Sequence, residues 1–339
     1  MAKLYDTYRI IRNVTPKRIW NIVLIQLSYF ITNLMKKPVL MGKPFSVSIE
    51  PTTSCNLRCP ECPSGLRKFS RNTGMLTLDL YNKIIHDIGD YLMYMILYFQ
   101  GEPYLNPSFF DIVKDARKRK IYTATSTNAH FLNDENARKT VESGLDRIIV
   151  SLDGIGQETY AAYRVGGRYQ RVLDGIENLV KWKKELKSKT PHIILQFIVF
   201  RTNEHQIDEV RKLANELQVD ELQLKTAQVY EYENGNDLIP TNDKYSRYRQ
   251  RKDGKWEIKN DFKNKCYRMS VSCVITWDGL VVPCCFDKDA TYQMGDLKKY
   301  SFDEVWKSEP YQAFRKKLLS NRKSIDICRN CTEGMKLES

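Results

Sequence analysis

The sequence predicts an α/β fold, a parallel sheet or barrel followed by a small cysteine-rich domain. Three observations predict it. Between residues 45 and about 226, short apolar runs alternate with helical patterns, as βα units do. Three cysteines, Cys55, Cys59 and Cys62, stand at C-x3-C-x2-C directly after the first apolar run. Six more cysteines gather beyond residue 265, around a hairpin pattern and a final C-x2-C.

At 339 residues the chain has room for one barrel-sized domain plus a small one, and 42% hydrophobic content suffices for a core. Nine cysteines without a secretory signal pattern point to a reducing, cytoplasmic setting, where grouped cysteines mean metal rather than disulfides. A net charge of +13 favours anionic partners: a phosphorylated or nucleotide substrate, nucleic acid, or an anionic membrane face.

Residues 1–44 read as a basic amphipathic helical segment. Residues 1–45 carry eight Lys/Arg against one acid, Asp6. The apolar stretch from Ile19 to Met35, flanked by Lys17-Arg18 and Lys36-Lys37, is interrupted by Asn21, Gln26, Ser28 and Asn33, which suits a spanning helix poorly. Two readings fit it: peripheral membrane contact through 17–37 with Trp20 and Tyr29 at the boundary, or a helix closing the open side of the barrel.

Residues 45–240 hold the α/β unit. Its strand signals are 45–49, 95–99, 121–126, 147–152, 192–200 and 221–226, with helical patterns near 77–90, 108–119, 133–143, 172–188 and 204–217. Thr77, Asn133 and Asn203 stand where N-caps belong. Functional groups in barrels of parallel strands sit at the C-terminal strand ends, where the cysteine triplet lies. Three thiolates can hold a cubane iron–sulfur cluster and leave one iron open to a small molecule. Structural zinc, the rival, usually pairs two knuckles and fills all four positions.

The stretch from Thr53 to Pro63 resembles the cluster loop of the radical S-adenosylmethionine (SAM) superfamily. The resemblance implies a partial (βα)6 barrel and a [4Fe-4S] cluster that binds SAM. Reductive cleavage of SAM would give a 5′-deoxyadenosyl radical that abstracts a substrate hydrogen atom, with flavodoxin or ferredoxin as electron donor. It also assigns a SAM site. Gly101, Glu102 and Pro103 resemble the family's Gly-Glu motif, whose backbone carbonyls would receive the SAM ammonium group. Ser126 and Asn128 lie at the barrel mouth. Ser151 and Asp153 resemble the Ser-x-Asp-Gly signature and would serve the carboxylate and ribose region, with Arg164, or else Arg168, as guanidinium partner. No catalytic acid or base is assigned; Gln196, Gln223 and Lys225 point either inward or to solvent.

Residues 241–265 read as a basic linker. Ten Lys/Arg and four acids in 243–268, interleaved with Tyr245, Tyr248, Trp256 and Phe262, suit a solvated loop with anchoring aromatics better than a nucleic-acid site. Residues 266–339 carry Cys266, Cys273, Cys284, Cys285, Cys328 and Cys331. Residues 274–283 read as a hairpin turning at Asp278-Gly279, and 302–320 as one amphipathic helix. This region resembles the SPASM extension of radical SAM enzymes, which implies an auxiliary [4Fe-4S] cluster. Six cysteines are too few for two fully cysteine-ligated clusters, so one is expected, on Cys266, Cys284, Cys328 and Cys331. Cys273 is expected in the hairpin core, and adjacent Cys284 and Cys285 to point opposite ways. A four-thiolate zinc site is the alternative.

The function expected is a radical SAM enzyme that oxidises or modifies an anionic small-molecule or lipid-linked sugar substrate. A peptide-modifying maturase is one alternative, although the segment before residue 45 is short for a leader-binding domain. A non-catalytic RNA-binding iron–sulfur or zinc protein is the other.

Overall fold

The computed structural model describes residues 2–333. Helices α1 (Ala2–Arg12) and α2 (Pro16–Met35) lead into the α/β unit. Strands β1 (Ser46–Ile49), β2 (Tyr94–Ile96), β3 (Tyr122–Thr127), β4 (Arg147–Ser151), β5 (His192–Val199) and β6 (Glu221–Thr226) alternate with helices α3 (Pro63–Leu66), α4 (Leu78–Ile88), α5 (Phe109–Lys118), α6 (Asp134–Ser143), α7 (Gln157–Tyr163), α8 (Tyr169–Glu185) and α9 (Ile207–Glu216). All six predicted strands form and pair in parallel, in chain order. One face is apolar and lies under the helices: Ile148, Val150, Ile193, Leu195 and Phe197 are buried against Ile84, Ile112 and Ile176. Burial of each such side chain stabilises by about 1.5–3 kcal/mol. The other face carries Ser48, Ser151 and Gln196, and it looks into the barrel interior.

Local capping sets the helix starts. Thr77 accepts from Leu80 N, and Asn133 from Asn136 N, as expected. Asn203 departs from its expected cap role. Its side chain is buried, accepts from Phe200 N, and donates to the carbonyls of Asp153 and Ile198, tying the end of β4 to that of β5.

Residues 248–258 are not a loop. They form a hairpin of β7 (Tyr248–Gln250) and β8 (Trp256–Ile258). Tyr248 is 1% exposed, and its hydroxyl lies 2.8 Å from Asn330 Oδ1 and 3.1 Å from Val229 O, either of which can take its one proton. Beyond α10 (Arg268–Val271), strands β9 (Ser272–Ile275), β10 (Leu280–Val282) and β11 (Gly295–Asp296) extend the main sheet itself, in the order β11-β10-β9-β1-β2-β3-β4-β5-β6. β9 lies parallel to β1, pairing Val47 with Cys273. The β9–β10 turn places only Gly279 at positive φ, and Thr276 bonds to Leu280 across it. Both central residues of a two-residue type I′ turn would need positive φ, so this is a longer connection. The expected single helix is two, α11 (Phe302–Lys307) and α12 (Glu309–Asn321), because Ser308 ends one and caps the other with Pro310 next. A short α13 (Asp326–Arg329) delivers Cys328 and Cys331. The last six positions of the predicted C-terminal region, 334–339, lie outside the described residues.

α1 closes the N-terminal end of the strands: Arg9 pairs with Asp146, and Asp6 takes bonds from Tyr122 and Arg147. α2 is inverted. Arg18, Asn21, Ile25 and Ser28 face the protein, whereas Trp20, Phe30 and Leu34 are 63%, 65% and 73% exposed. Arg18 satisfies the carbonyls of Asn13, Gly89, Arg119 and Lys120, which explains an arginine at 2% exposure. No helix among the described residues is long and apolar enough to cross a membrane.

Candidate active site

The loop after β1 is held before any ligand is considered. Glu50 N continues the ladder to Ile275 O at 2.9 Å, and the loop returns past Gly74, whose carbonyl accepts from Thr53 N and from the Thr52 hydroxyl at 3.0 Å each. A Cβ on Gly65 would come within 2.5 Å of the Cys59 backbone N and O, so only glycine lets α3 pack on the loop. Gly101 has φ +74°, and a Cβ there would collide with the carbonyls of Thr52 and Ser54. Its neighbour's N–H bonds Ser54 O at 2.7 Å. The Gly-Glu motif is thus stapled to the cysteine loop.

Two of the three sulfurs sit among donors. Leu57 N approaches Cys55 Sγ at 3.4 Å, Asn128 Nδ2 approaches it at 3.8 Å, and Arg164 Nη1 lies 3.9 Å from Cys59 Sγ. The Cys62 thiol faces Gln100 Oε1 at 3.8 Å. Burial pushes Cys55 up to about 11 and also raises Cys59. Such thiols ionise when a bound metal stabilises the thiolate, and N–H donors at sulfur suit metal-bound thiolates. The donor set fits an iron–sulfur cluster.

The expected SAM residues divide. Arg164 is ion-paired to Asp153 at 2.5 Å, and Asp153 also accepts from Ile198 N at 2.7 Å, so its carboxylate aims the guanidinium at the cysteine loop. Arg168, the other guanidinium considered, is exposed and meets His130 through its backbone N–H. The Glu102 side chain turns away from the mouth, accepting from Thr127 Oγ1 and Asn128 N at 2.8 Å each. Burial outweighs those donors and raises its pKa to about 7. Pro103 starts a 3-10 turn that Glu102 caps. Ser151 is buried, Ser126 is half-buried, and Asn128 bonds Asn56 at 2.8 Å beside Cys55. Sequence reasoning missed Gln100 and Asn56; each is adjacent to a motif residue, the only signal available.

The second group is also clustered. Cys266, Cys328 and Cys331 lie within electrostatic reach of one another around Arg322, whose Nη2 approaches Cys331 Sγ at 3.3 Å. Cys284 and Cys285 do not point opposite ways. They follow β10 in a turn and lie close enough for each to shift the other's titration. The neighbouring Cys284 thiol, with Arg268 Nη1 at 3.3 Å, holds Cys285 below the usual thiol range. Cys273 sits apart in the β9 core, raised to about 12 by burial.

Beside the cysteine loop, within the barrel mouth, lies a cavity of about 540 Å³ lined by Glu61, Tyr163, Gln196, Lys225, Arg247 and Lys288, among others. Of the polar strand residues considered above, Gln196 and Lys225 line it.

Two family models match: the radical SAM superfamily over residues 49–214 and the SPASM iron-sulfur cluster-binding domain over 266–332. The chain belongs to the radical SAM superfamily and carries a SPASM domain. It is 28% identical over 313 residues to the tungsten-containing aldehyde ferredoxin oxidoreductase cofactor-modifying protein of Pyrococcus furiosus, covering 84% of this chain and 86% of that one. It is 27% identical to the PqqA peptide cyclase of Bradyrhizobium diazoefficiens over 59% of this chain and 51% of that one, and thus spans about half of that relative. Among solved structures, Streptococcus suis SuiB bound to S-adenosylmethionine superposes with TM-score 0.63 at 15% identity, covering 84% and 70% of the two chains. BtrN in complex with AdoMet and 2-DOIA gives 0.54 at 17%, covering 87% and 96%. This radical SAM protein is therefore an enzyme with a [4Fe-4S] cluster, SAM and an auxiliary iron–sulfur site, and the non-catalytic reading is set aside.

Proposed function

We propose that Cys55, Cys59 and Cys62 hold the SAM-binding cluster and that the enzyme oxidises or otherwise modifies an anionic small molecule or lipid-linked sugar in the adjoining cavity. The observation that carries this reading is the convergence of the cysteine loop, the Asp153-aimed Arg164 and the cavity at one mouth. When bound, the cluster supplies the electron that cleaves SAM and so the radical that takes a substrate hydrogen. The chain's own residues orient. Arg164 offers its guanidinium to the SAM carboxylate, and Asp153 fixes it. The backbone carbonyls of Gly101, Glu102 and Pro103 would face the ammonium group, while Ser126, Asn128 and Ser151 supply polar contacts. Cys266, Cys284, Cys328 and Cys331 are the ligand set proposed for the auxiliary cluster, with Cys285 the neighbour able to replace Cys284. A flavodoxin or ferredoxin, usually acidic, would suit a chain of charge +13. The outward apolar ridge of α2, bordered by Lys17, Lys36 and Lys37, supports peripheral contact with an anionic membrane.

A peptide-modifying reading is favoured by one observation, the likeness to the PqqA peptide cyclase. The test is anaerobic reduction of reconstituted enzyme with SAM, following 5′-deoxyadenosine, with a fractionated extract added before and after protease treatment. Stimulation that survives protease supports the small-molecule reading; stimulation that protease abolishes supports the peptide. Absence of 5′-deoxyadenosine under all conditions overturns both.

A further inference from the structure

The cavity beside the cysteine loop is lined from three separate parts of the chain. Lys225 comes from β6, Arg247 from the segment before β7, and Lys288 from the SPASM region after Cys285. Facing residues pair in register across β5 and β6, Ile198 opposite Lys225, so Lys225 belongs to the interior face shared with Gln196. Arg247 is only 9% exposed. Its Nε donates to Thr226 Oγ1 at 3.2 Å and its Nη2 to Thr226 O at 2.9 Å, which fixes the plane of the guanidinium. Its Nη1 is buried with no hydrogen-bond partner. A buried unpaired donor on a charged group is costly, and nearly all such groups in proteins have partners. Partial burial lowers both Arg247 and Lys225 from their ordinary values. Lys288 lies over the Tyr230 ring at 4.9 Å, within electrostatic reach of Cys62.

The opposing charges are few. Glu61 is the one carboxylate in the lining among the described residues. It already accepts from Tyr230 N at 2.9 Å and partly offsets Lys288. Glu221, on the same face of β6, also acts on Lys225. Three cations against one lining carboxylate leave a net positive concavity.

We infer that Lys225, Arg247 and Lys288 form an oxyanion subsite that anchors a multiply charged group of the substrate. This rests on the substrate reading above and deepens it. The shared chemistry is a cluster of anionic oxygens, which a phosphate ester or a pair of neighbouring carboxylates presents equally well. The subsite joins barrel, linker and SPASM region, so anchoring also ties the C-terminal region onto the barrel. No bond is made or broken there; the three residues position.

The experiment is calorimetric titration of the reconstituted, SAM-loaded holoenzyme with pyrophosphate and, separately, with tricarballylate. Binding of at least one probe is expected, weakened about tenfold or more in Lys225→Met and again in Lys288→Met. Arg251→Gln, which removes an equal charge from the exposed surface, is expected to bind as wild type. Arg247→Gln is read only where its melting temperature stays near wild type, so the lysine variants carry the test if it unfolds. Preference for pyrophosphate identifies a phosphate ester, and preference for tricarballylate identifies a polycarboxylate. If neither probe binds, or if the lysine variants bind like Arg251→Gln, the inference is overturned. Formation of 5′-deoxyadenosine by the same wild-type preparation separates that outcome from failure of the radical SAM reading.

Discussion

Arg71 closes a two-bonded ion pair on Glu50, its Nη1 and Nη2 lying 2.8 and 2.6 Å from the two carboxylate oxygens, with Glu50 wholly buried. The same carboxylate accepts from Trp277 N at 3.2 Å, so one acid joins β1, the return of the cysteine loop and the tip of the SPASM hairpin. Removing the cation leaves a buried charge without its partner, which costs about 3–5 kcal/mol. Arg71→Met should therefore lower the denaturation midpoint sharply, and adding Glu50→Gln should restore part of the loss, as chemical unfolding of both variants will report.

Gly101→Ala places a side chain at positive φ and against two carbonyls of the cysteine loop. Backbone strain of this kind costs of order 1–3 kcal/mol, before the steric clash. Iron bound per chain after reconstitution should fall, while Gly254→Ala, with open space at its Cβ, should retain wild-type iron at a modest stability cost.

The Glu102 carboxyl has its pKa raised to about 7 in the fold, against an ordinary value near 4.5. The native state then holds a proton that the unfolded chain has released, so this group's contribution to stability is full below about 4.5 and is lost as pH rises through 7. Apoprotein melting temperatures between pH 5 and 8 should fall with rising pH, and Glu102→Gln should flatten that slope. An unchanged slope would contradict the assignment.

Much of this was legible in the sequence, and the misses share a cause. The six parallel strands read correctly because strands buried in a parallel sheet show as short apolar runs between capped helices, as Thr77 and Asn133 illustrate. The cysteine triplet was legible from spacing alone. Asn203 and the β7–β8 hairpin were misjudged because their roles depend on partners far along the chain: Asp153 for Asn203, Val229 and Asn330 for Tyr248. The pairing of β9 with β1 likewise joins segments more than 200 residues apart, and no local pattern encodes such a register.

Metal content tests the two cysteine groups separately. Wild type should carry about eight irons and a Cys55/Cys59/Cys62→Ala variant about four, with zinc absent from both. About four irons falling to none, with zinc retained, would make the C-terminal group a structural zinc site.

The exposed ridge of α2 predicts vesicle binding. Sedimentation with vesicles rich in anionic lipid should pull down wild type and should weaken at least tenfold in a Trp20→Ser/Phe30→Ser variant, since each lost aromatic removes about 1.5–3 kcal/mol of apolar burial and each 1.4 kcal/mol is tenfold. Equal sedimentation of the two would exclude this face.

Because β9 is laddered to β1 from Ser46 through Ile49, the distance between the two cysteine groups is a register constant of one sheet and does not depend on the length of the intervening chain. Insertions in the segment between β6 and α10 would lengthen the polypeptide without moving the groups apart. A slip of two residues along that ladder would displace one against the other by about 6.6 Å, at 3.3 Å per strand residue. Electron transfer between the two centres would then report on a few backbone hydrogen bonds, with the SPASM hairpin acting as the ruler.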